Sequence, residues 1–167
     1  MIFVTVGSMF PFDRMIEAMD VWAANRAEDA AREEILAQIG AGRYEPRHMR
    51  WVRRLERPDY AAAVAGARLV VAHAGVGSVV TAGEHGKSIV VLPRRAALGE
   101  HTSDHQLETA GWLRAKPGIH VADAEGDLAA RIAEAEAASA HPEDRIAGSA
   151  DPAFIARLRD FILGGAG

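Results

Sequence analysis

Residues that could do chemistry concentrate in two stretches. The first is His73-Ala74-Gly75-Val76-Gly77-Ser78, which follows four apolar residues, Leu69–Ala72, and precedes a helix-like run. A helix amino terminus exposes unpaired N–H groups and carries partial positive charge, so it stabilises an anion without a metal. Glycines there let the backbone approach phosphate oxygens, and Ser78 adds a hydroxyl donor. The same Gly75 and Gly77 equally suit a plain tight turn between strand and helix. The pattern is not a P-loop, because Gly86-Lys87-Ser88 precedes a strand instead of a helix. It is not a dinucleotide fingerprint either, since the third glycine of G-x-G-x-x-G would fall at Val80.

The second stretch, residues 93–111, reads PRRAALGEHTSDHQLETAG and holds Arg94, Arg95, Glu100, His101, Asp104, His105, Gln106 and Glu108. Long loops beyond strand ends are often functional. Arg94 and Arg95 follow an apolar strand at its carboxyl end, where a guanidinium fork could meet a ligand carboxylate, or else face solvent or a partner. His101 and His105 with neighbouring acids invite a metal reading. Their spacing, however, crosses a helix start and no further ligand is evident, so no metal is expected. For a general base the candidates are His73 and His101; His73 ends a buried strand, where a structural histidine is the commoner outcome.

The elements that must position these residues alternate. Strands are expected at Ile2–Val6, Ile35–Ile39, Met49–Leu55, Leu69–Ala72, Ile89–Leu92 and Ile119–Val121. Helices are expected from Asp13 as a cap (Met15, Ile16, Met19 and Trp22 at helical spacing), from Pro58, over Val76–His85 with Gly86 as stop, from Asp104 as a cap to Arg114, over Leu128–Ala138 and over Ala153–Leu163. Continuous apolar strands alternating with helices predict a Rossmann-like α/β domain, with a parallel sheet covered on both faces. Ligands on such sheets sit beyond the carboxyl ends of the strands, where the Gly7-Ser8 turn and the Gly75–Ser78 turn both fall.

Composition narrows the class. The 167 residues suit one α/β domain, expected over 1–165, and 49% hydrophobic content suffices for its core. No cysteine is present, which excludes disulfides and thiolate metal sites. A net charge of −4 argues against nucleic acid as a partner. No apolar run approaches the roughly 18–20 residues of a membrane span, and the start MIFVTVGS lacks the charged and apolar regions of a signal peptide, so a cytoplasmic location is expected. One segment departs from the acidic balance. Residues 43–57, RYEPRHMRWVRRLER, carry six arginines with Tyr44 and Trp51, which reads as a solvated edge or as a contact surface for a partner or an anionic membrane face.

Taken together, MIFVTVGSMFPFDRMI, VAHAGVGS and GKSIVVLPRRAALGEHTSDHQ resemble the C-terminal, donor-binding half of family 28 glycosyltransferases, over about residues 1–165. The short exopolysaccharide subunits of the PssE type are the nearest likeness, similar in turn to the catalytic subunit of the eukaryotic dolichol-linked UDP-GlcNAc transferase. This resemblance implies half of a GT-B fold and a UDP-sugar as donor substrate, with no cofactor. Gly7 and Ser8 would lie near the diphosphate, Gly75, Gly77 and Ser78 at the phosphate-binding helix start, and Gln106 on the sugar hydroxyls. Where several family members carry a ribose-binding glutamate, this chain has Thr81; Glu84, one turn on, is the candidate replacement. The sugar implied is glucuronate, else GlcNAc or another hexose. Transfer would be inverting and metal-independent, to a polyprenyl-diphosphate-linked acceptor in exopolysaccharide biosynthesis. The first strand begins at residue 2, so an acceptor half is expected on a separate, membrane-anchored partner subunit that recruits this one to the inner face of the cytoplasmic membrane. The competing expectation is a nucleotide-sugar-binding regulatory or scaffold subunit without turnover.

Overall fold

The computed structural model describes residues 1–26 and 33–138. The expected helix over 153–163 and the connection before it lie outside the described residues, as does most of the charged segment 26–34. Six strands form one sheet: β1 (Ile2–Thr5), β2 (Ile35–Gln38), β3 (Arg50–Val52), β4 (Leu69–His73), β5 (Ser88–Leu92) and β6 (Ile119–Val121). Five α-helices accompany them: α1 (Asp13–Asn25), α2 (Arg57–Gly66), α3 (Val76–Glu84), α4 (His105–Leu113) and α5 (Leu128–Ala138).

The sheet order is β3-β2-β1-β4-β5-β6 and every pairing is parallel. Ile2 opens the register on both sides of β1, opposite Ile35 of β2 and Leu69 of β4. Side chains alternate across the pleat, so each strand feeds two cores. Ile2, Val4, Leu69, Val71, Val90 and Leu92 pack under Met15, Ile16 and Met19 of α1 and Leu128, Ile132 and Ala135 of α5. Phe3, Val70, Ala72, Ile89 and Val91 face the other way, against Val64 of α2, Val79 and Ala82 of α3, and Ala110 and Leu113 of α4. Burial on both faces is why these strands read as unbroken apolar runs.

Three local expectations are corrected. The third strand is confined to Arg50–Val52, because the chain beyond it turns out of the sheet towards α2. Asp13 is the first residue of α1 and does not cap it; its carboxylate instead accepts the N–H groups of Arg43 and Tyr44. Asp104 likewise makes no cap hydrogen bond to α4, and its carboxylate accepts from Ala96 N–H, tying the loop after β5 back on itself. Aspartates near helix starts are legible in sequence, but a distant loop can outbid the local N–H groups for the carboxylate.

Candidate functional site

The strand order reverses between β1 and β4, which neighbour each other although far apart in sequence. The chain leaves these two strands in opposite directions, so a crevice opens between their carboxyl ends. Both glycine turns lie there. Gly7 follows β1 with φ +77°, a left-handed conformation that glycine adopts readily. Its N–H donates to Thr5 Oγ1 at 3.1 Å, and its carbonyl accepts from Gln38 Nε2 at 3.2 Å. Ser8 is exposed beside it. The crevice widens into a cleft of about 800 Å³ that runs from Arg54 and Leu55 beyond β3, past Gly7, His73, Gly77 and Ser78, to His101 and Gln106 beyond β5.

Gly75 is the extended residue before α3 and accepts the N–H groups of Ser78 and Val79. The N–H groups of Val76 and Gly77 have no protein acceptor among the described residues. The helix therefore presents two free donors and its positive end to the cleft. The two glycines are there for different reasons. A Cβ at Gly75 would lie 2.2 Å from His73 Nε2, so this glycine makes room for the imidazole. A Cβ at Gly77 would meet nothing within 4 Å, so its bare backbone faces open cleft. Gly77 is the position at which a phosphate could touch the main chain.

His73 is wedged between the two turns: a Cβ at Gly7 would come within 2.6 Å of its Cε1. Burial pushes its pKa down to about 4, aided by the charge of Arg94, while the Thr5 carbonyl opposes the shift. Among the described residues, Nδ1 is buried without a partner in hydrogen-bond geometry. A neutral, wedged imidazole with so low a pKa fits the structural role suggested by its place at the end of a buried strand. His101 lines the β5 end of the cleft. Its pKa is lowered by burial and by His105 and Arg94. Ser103 N–H donates to its Nδ1 at 3.3 Å, which assigns the proton of the neutral ring to Nε2. Its remaining nitrogen is thus a donor.

Of the two arginines, Arg94 departs from the expected carboxylate fork and Arg95 takes the outward alternative. Arg94 does not offer its guanidinium to a ligand: it is 2% exposed, and its Nη atoms donate to the carbonyls of Val6, Phe10, Pro11 and Glu100. Arg95 turns towards the outside and donates to the Asp123 carbonyl at 2.8 Å. In the basic segment, Arg50 pairs with Glu34 and Arg53 with Glu45, whereas Arg54 and Arg57 line the cleft. The remaining expected residues also reach the cleft. Thr81 lines it with its hydroxyl turned back to the Gly77 carbonyl at 3.0 Å, and Glu84 is exposed at the end of α3. Gln106 is 3% exposed; its Oε1 accepts from Arg94 N–H at 3.1 Å, and its Nε2 has no protein partner among the described residues.

Gln38 is a residue that sequence reasoning missed. It is 4% exposed, donates to the Gly7 carbonyl and to Thr5 Oγ1, and accepts from Leu55 N–H at 2.8 Å. One amide thus joins the ends of β1 and β2 to the loop after β3. The only sequence signal was a polar residue inside an apolar run.

Among the described residues no helix is long and apolar enough to cross a membrane. The family model of the glycosyltransferase family 28 C-terminal domain matches residues 1–158. Among solved structures, the kitacinnamycin glycotransferase aligns over 86% of this chain and 36% of its own, with TM-score 0.63 and 18% identity. The calicheamicin glycosyltransferase CalG4 aligns over 99% and 42%, with TM-score 0.57 and 19% identity. The spinosyn forosaminyltransferase SpnP aligns over 96% and 43%, with TM-score 0.50 and 15% identity. These identities speak for a shared fold, and the chain spans less than half the length of each of these proteins. No curated protein matches.

Proposed function

The chain belongs to the glycosyltransferase family 28 C-terminal domain family, and we propose that it binds the UDP-sugar donor of a glycosyl transfer. The observation that carries this reading is the meeting of two glycine turns at the β1/β4 switch point, with α3 presenting the free N–H groups of Val76 and Gly77 beside a bare Gly77. A diphosphate fits such a donor-rich surface. Gly7 and Ser8 flank it, Thr81 and Glu84 lie along α3 towards the ribose, and Gln106 offers its Nε2 donors to sugar hydroxyls.

The proposed reaction inverts the anomeric carbon. An acceptor hydroxyl forms the new C–O bond as the bond to UDP breaks; the proton goes to a base, and UDP leaves with its negative charge. The amino terminus of α3 stabilises that growing charge electrostatically. The sequence has no Asp-x-Asp, in keeping with a metal-independent step. The base that takes the acceptor proton is assigned to the partner subunit, as the sequence resemblance implies. The same resemblance implies a polyprenyl-diphosphate-linked acceptor, a membrane-anchored partner subunit of the PssE-type arrangement, and exopolysaccharide assembly at the inner membrane face. With Arg94 and Arg95 turned away, the preference for glucuronate over GlcNAc or another hexose rests on the sequence resemblance alone.

Calorimetry of this chain with UDP and UDP-sugars, followed by transfer of radiolabelled sugar to a polyprenyl acceptor with and without the partner, tests the reading. Binding plus partner-dependent transfer is expected. Absence of UDP binding would overturn it, and binding without transfer in any pairing would favour a non-catalytic donor-binding subunit.

A further inference from the structure

We propose that Arg94 is a positioning residue, whose buried guanidinium clamps the two loops at the β5 end of the cleft and whose main chain fixes the Gln106 amide with its N–H donors outward. The role assigned to Gln106 rests on the donor-site reading above; the clamp itself does not.

A buried guanidinium is costly unless every face of it is satisfied. The usual partner is a carboxylate, which would meet the fork from a single residue. Arg94 is held differently. Nη2 donates to the carbonyls of Val6 at 2.7 Å and Phe10 at 2.8 Å, and Nη1 to those of Pro11 and Glu100. Three of these acceptors belong to the β1–α1 loop that carries Gly7 and Ser8; the fourth immediately precedes His101. The Phe12 ring lies 4.7 Å from the guanidinium carbon. Burial lowers the Arg94 pKa to about 10, with Glu100 opposing, so the charge persists at neutral pH.

The nearest carboxylate is itself committed. Glu100 takes a two-pronged contact from Arg14, Nε to Oε1 at 2.7 Å and Nη2 to Oε2 at 2.9 Å, and also accepts from Arg95 N–H at 2.9 Å. Arg14, on α1, donates further to the Pro93 carbonyl. Two arginines thus hold the loop after β5, Arg94 to the β1–α1 loop and Arg14 to the start of α1. A lysine at 94 would bring three donors on one atom and could not span carbonyls of both loops in a plane.

The main chain of Arg94 does the second job. Its N–H takes one lone pair of Gln106 Oε1 and fixes which end of the amide is the oxygen, leaving both Nε2 donors for a ligand. A group that meets Nε2 is then an acceptor, such as a hydroxyl or carboxylate oxygen of the donor sugar.

The test combines hydrogen–deuterium exchange with calorimetry on wild type, Arg94→Lys, Arg94→Met and Gln106→Glu, using UDP, UDP-glucose, UDP-glucuronate and UDP-GlcNAc. In the Arg94 variants, exchange should rise over residues 7–12 and 95–101 while β1 and β4 stay protected. The affinity gained by the preferred UDP-sugar over UDP should fall on the order of 10-fold in Arg94→Met and less in Arg94→Lys. Gln106→Glu keeps an acceptor for Arg94 N–H but removes the donors, so it should stay folded, with a lower melting temperature for its buried carboxyl, and lose the same sugar increment, which secures the result if Arg94→Met fails to fold. Unchanged exchange in both loops of Arg94→Lys overturns the clamp, and an undiminished sugar increment in Gln106→Glu overturns the amide orientation. If wild type binds no UDP, the donor-site reading falls and the exchange result still decides the clamp.

Discussion

Replacing Gly77 by alanine separates ligand approach from folding. Gly77 sits in the first turn of α3, is exposed, and has no atom within 4 Å of where a Cβ would be. Alanine is favoured over glycine in a helix by roughly 0.5–1 kcal/mol, and no contact opposes the change, so the variant should be more stable. For a protein of this size that is a rise of about 1–4 °C in melting temperature. The methyl group would nevertheless stand between a bound phosphate and the free N–H groups of Val76 and Gly77. Losing one hydrogen bond to a charged group costs about 1.5–3 kcal/mol, which is roughly a 10- to 150-fold loss of UDP affinity. Gly75→Ala provides the contrast, since its Cβ would lie 2.2 Å from His73 Nε2. Overpacking there should destabilise by about 1–3 kcal/mol. Denaturant melts and UDP calorimetry on the two variants measure both quantities. A stabilised Gly77→Ala protein that binds UDP as tightly as wild type would refute the assignment of the α3 start as the phosphate site.

The His73 pKa, about 4 when folded against an ordinary 6.5, makes stability depend on pH. The unfolded chain takes up the proton first, so stability is full above about pH 6.5, falls as pH drops towards 4, and levels off below; the loss from this group is at most about 3 kcal/mol. Urea melts across that range should show a weaker pH dependence in His73→Gln, and identical curves would sink the idea. Asp20, 2% exposed, accepts the N–H groups of Arg47 and His48 and the Tyr44 hydroxyl. Burial works to raise its pKa, but those hydrogen bonds outweigh it and hold the carboxyl below its usual value. Asp20→Ala should cost about 2–4 kcal/mol by melting and leave UDP affinity unchanged, because the loop it anchors lies away from the switch point.

The amino-acid sequence alone determined the alternation of elements and the class of the sheet. Runs such as Leu69–Ala72 and Ile89–Leu92 are apolar at every position, and only a strand covered on both faces uses such a run. The glycine turns were legible for a similar reason: backbone geometry at a strand-to-helix junction limits which residues fit, and the limit is local. What the tertiary structure decided is which polar groups remain available. Arg94 and Arg95 are adjacent in sequence and chemically alike, yet one is enclosed by carbonyls, three of them from residues more than eighty positions away, and the other faces outward. Gly75 and Gly77 look equivalent in a G-x-G pair until the ring of His73 is placed against one of them. Asp13 and Asp104 stand where caps are expected, yet N–H groups outside their helices claimed both carboxylates, those of Arg43 and Tyr44 for Asp13 and that of Ala96 for Asp104. Local propensity is written in neighbours along the chain, whereas hydrogen-bond partners of buried polar groups are chosen by whichever chain segments the sheet order brings together.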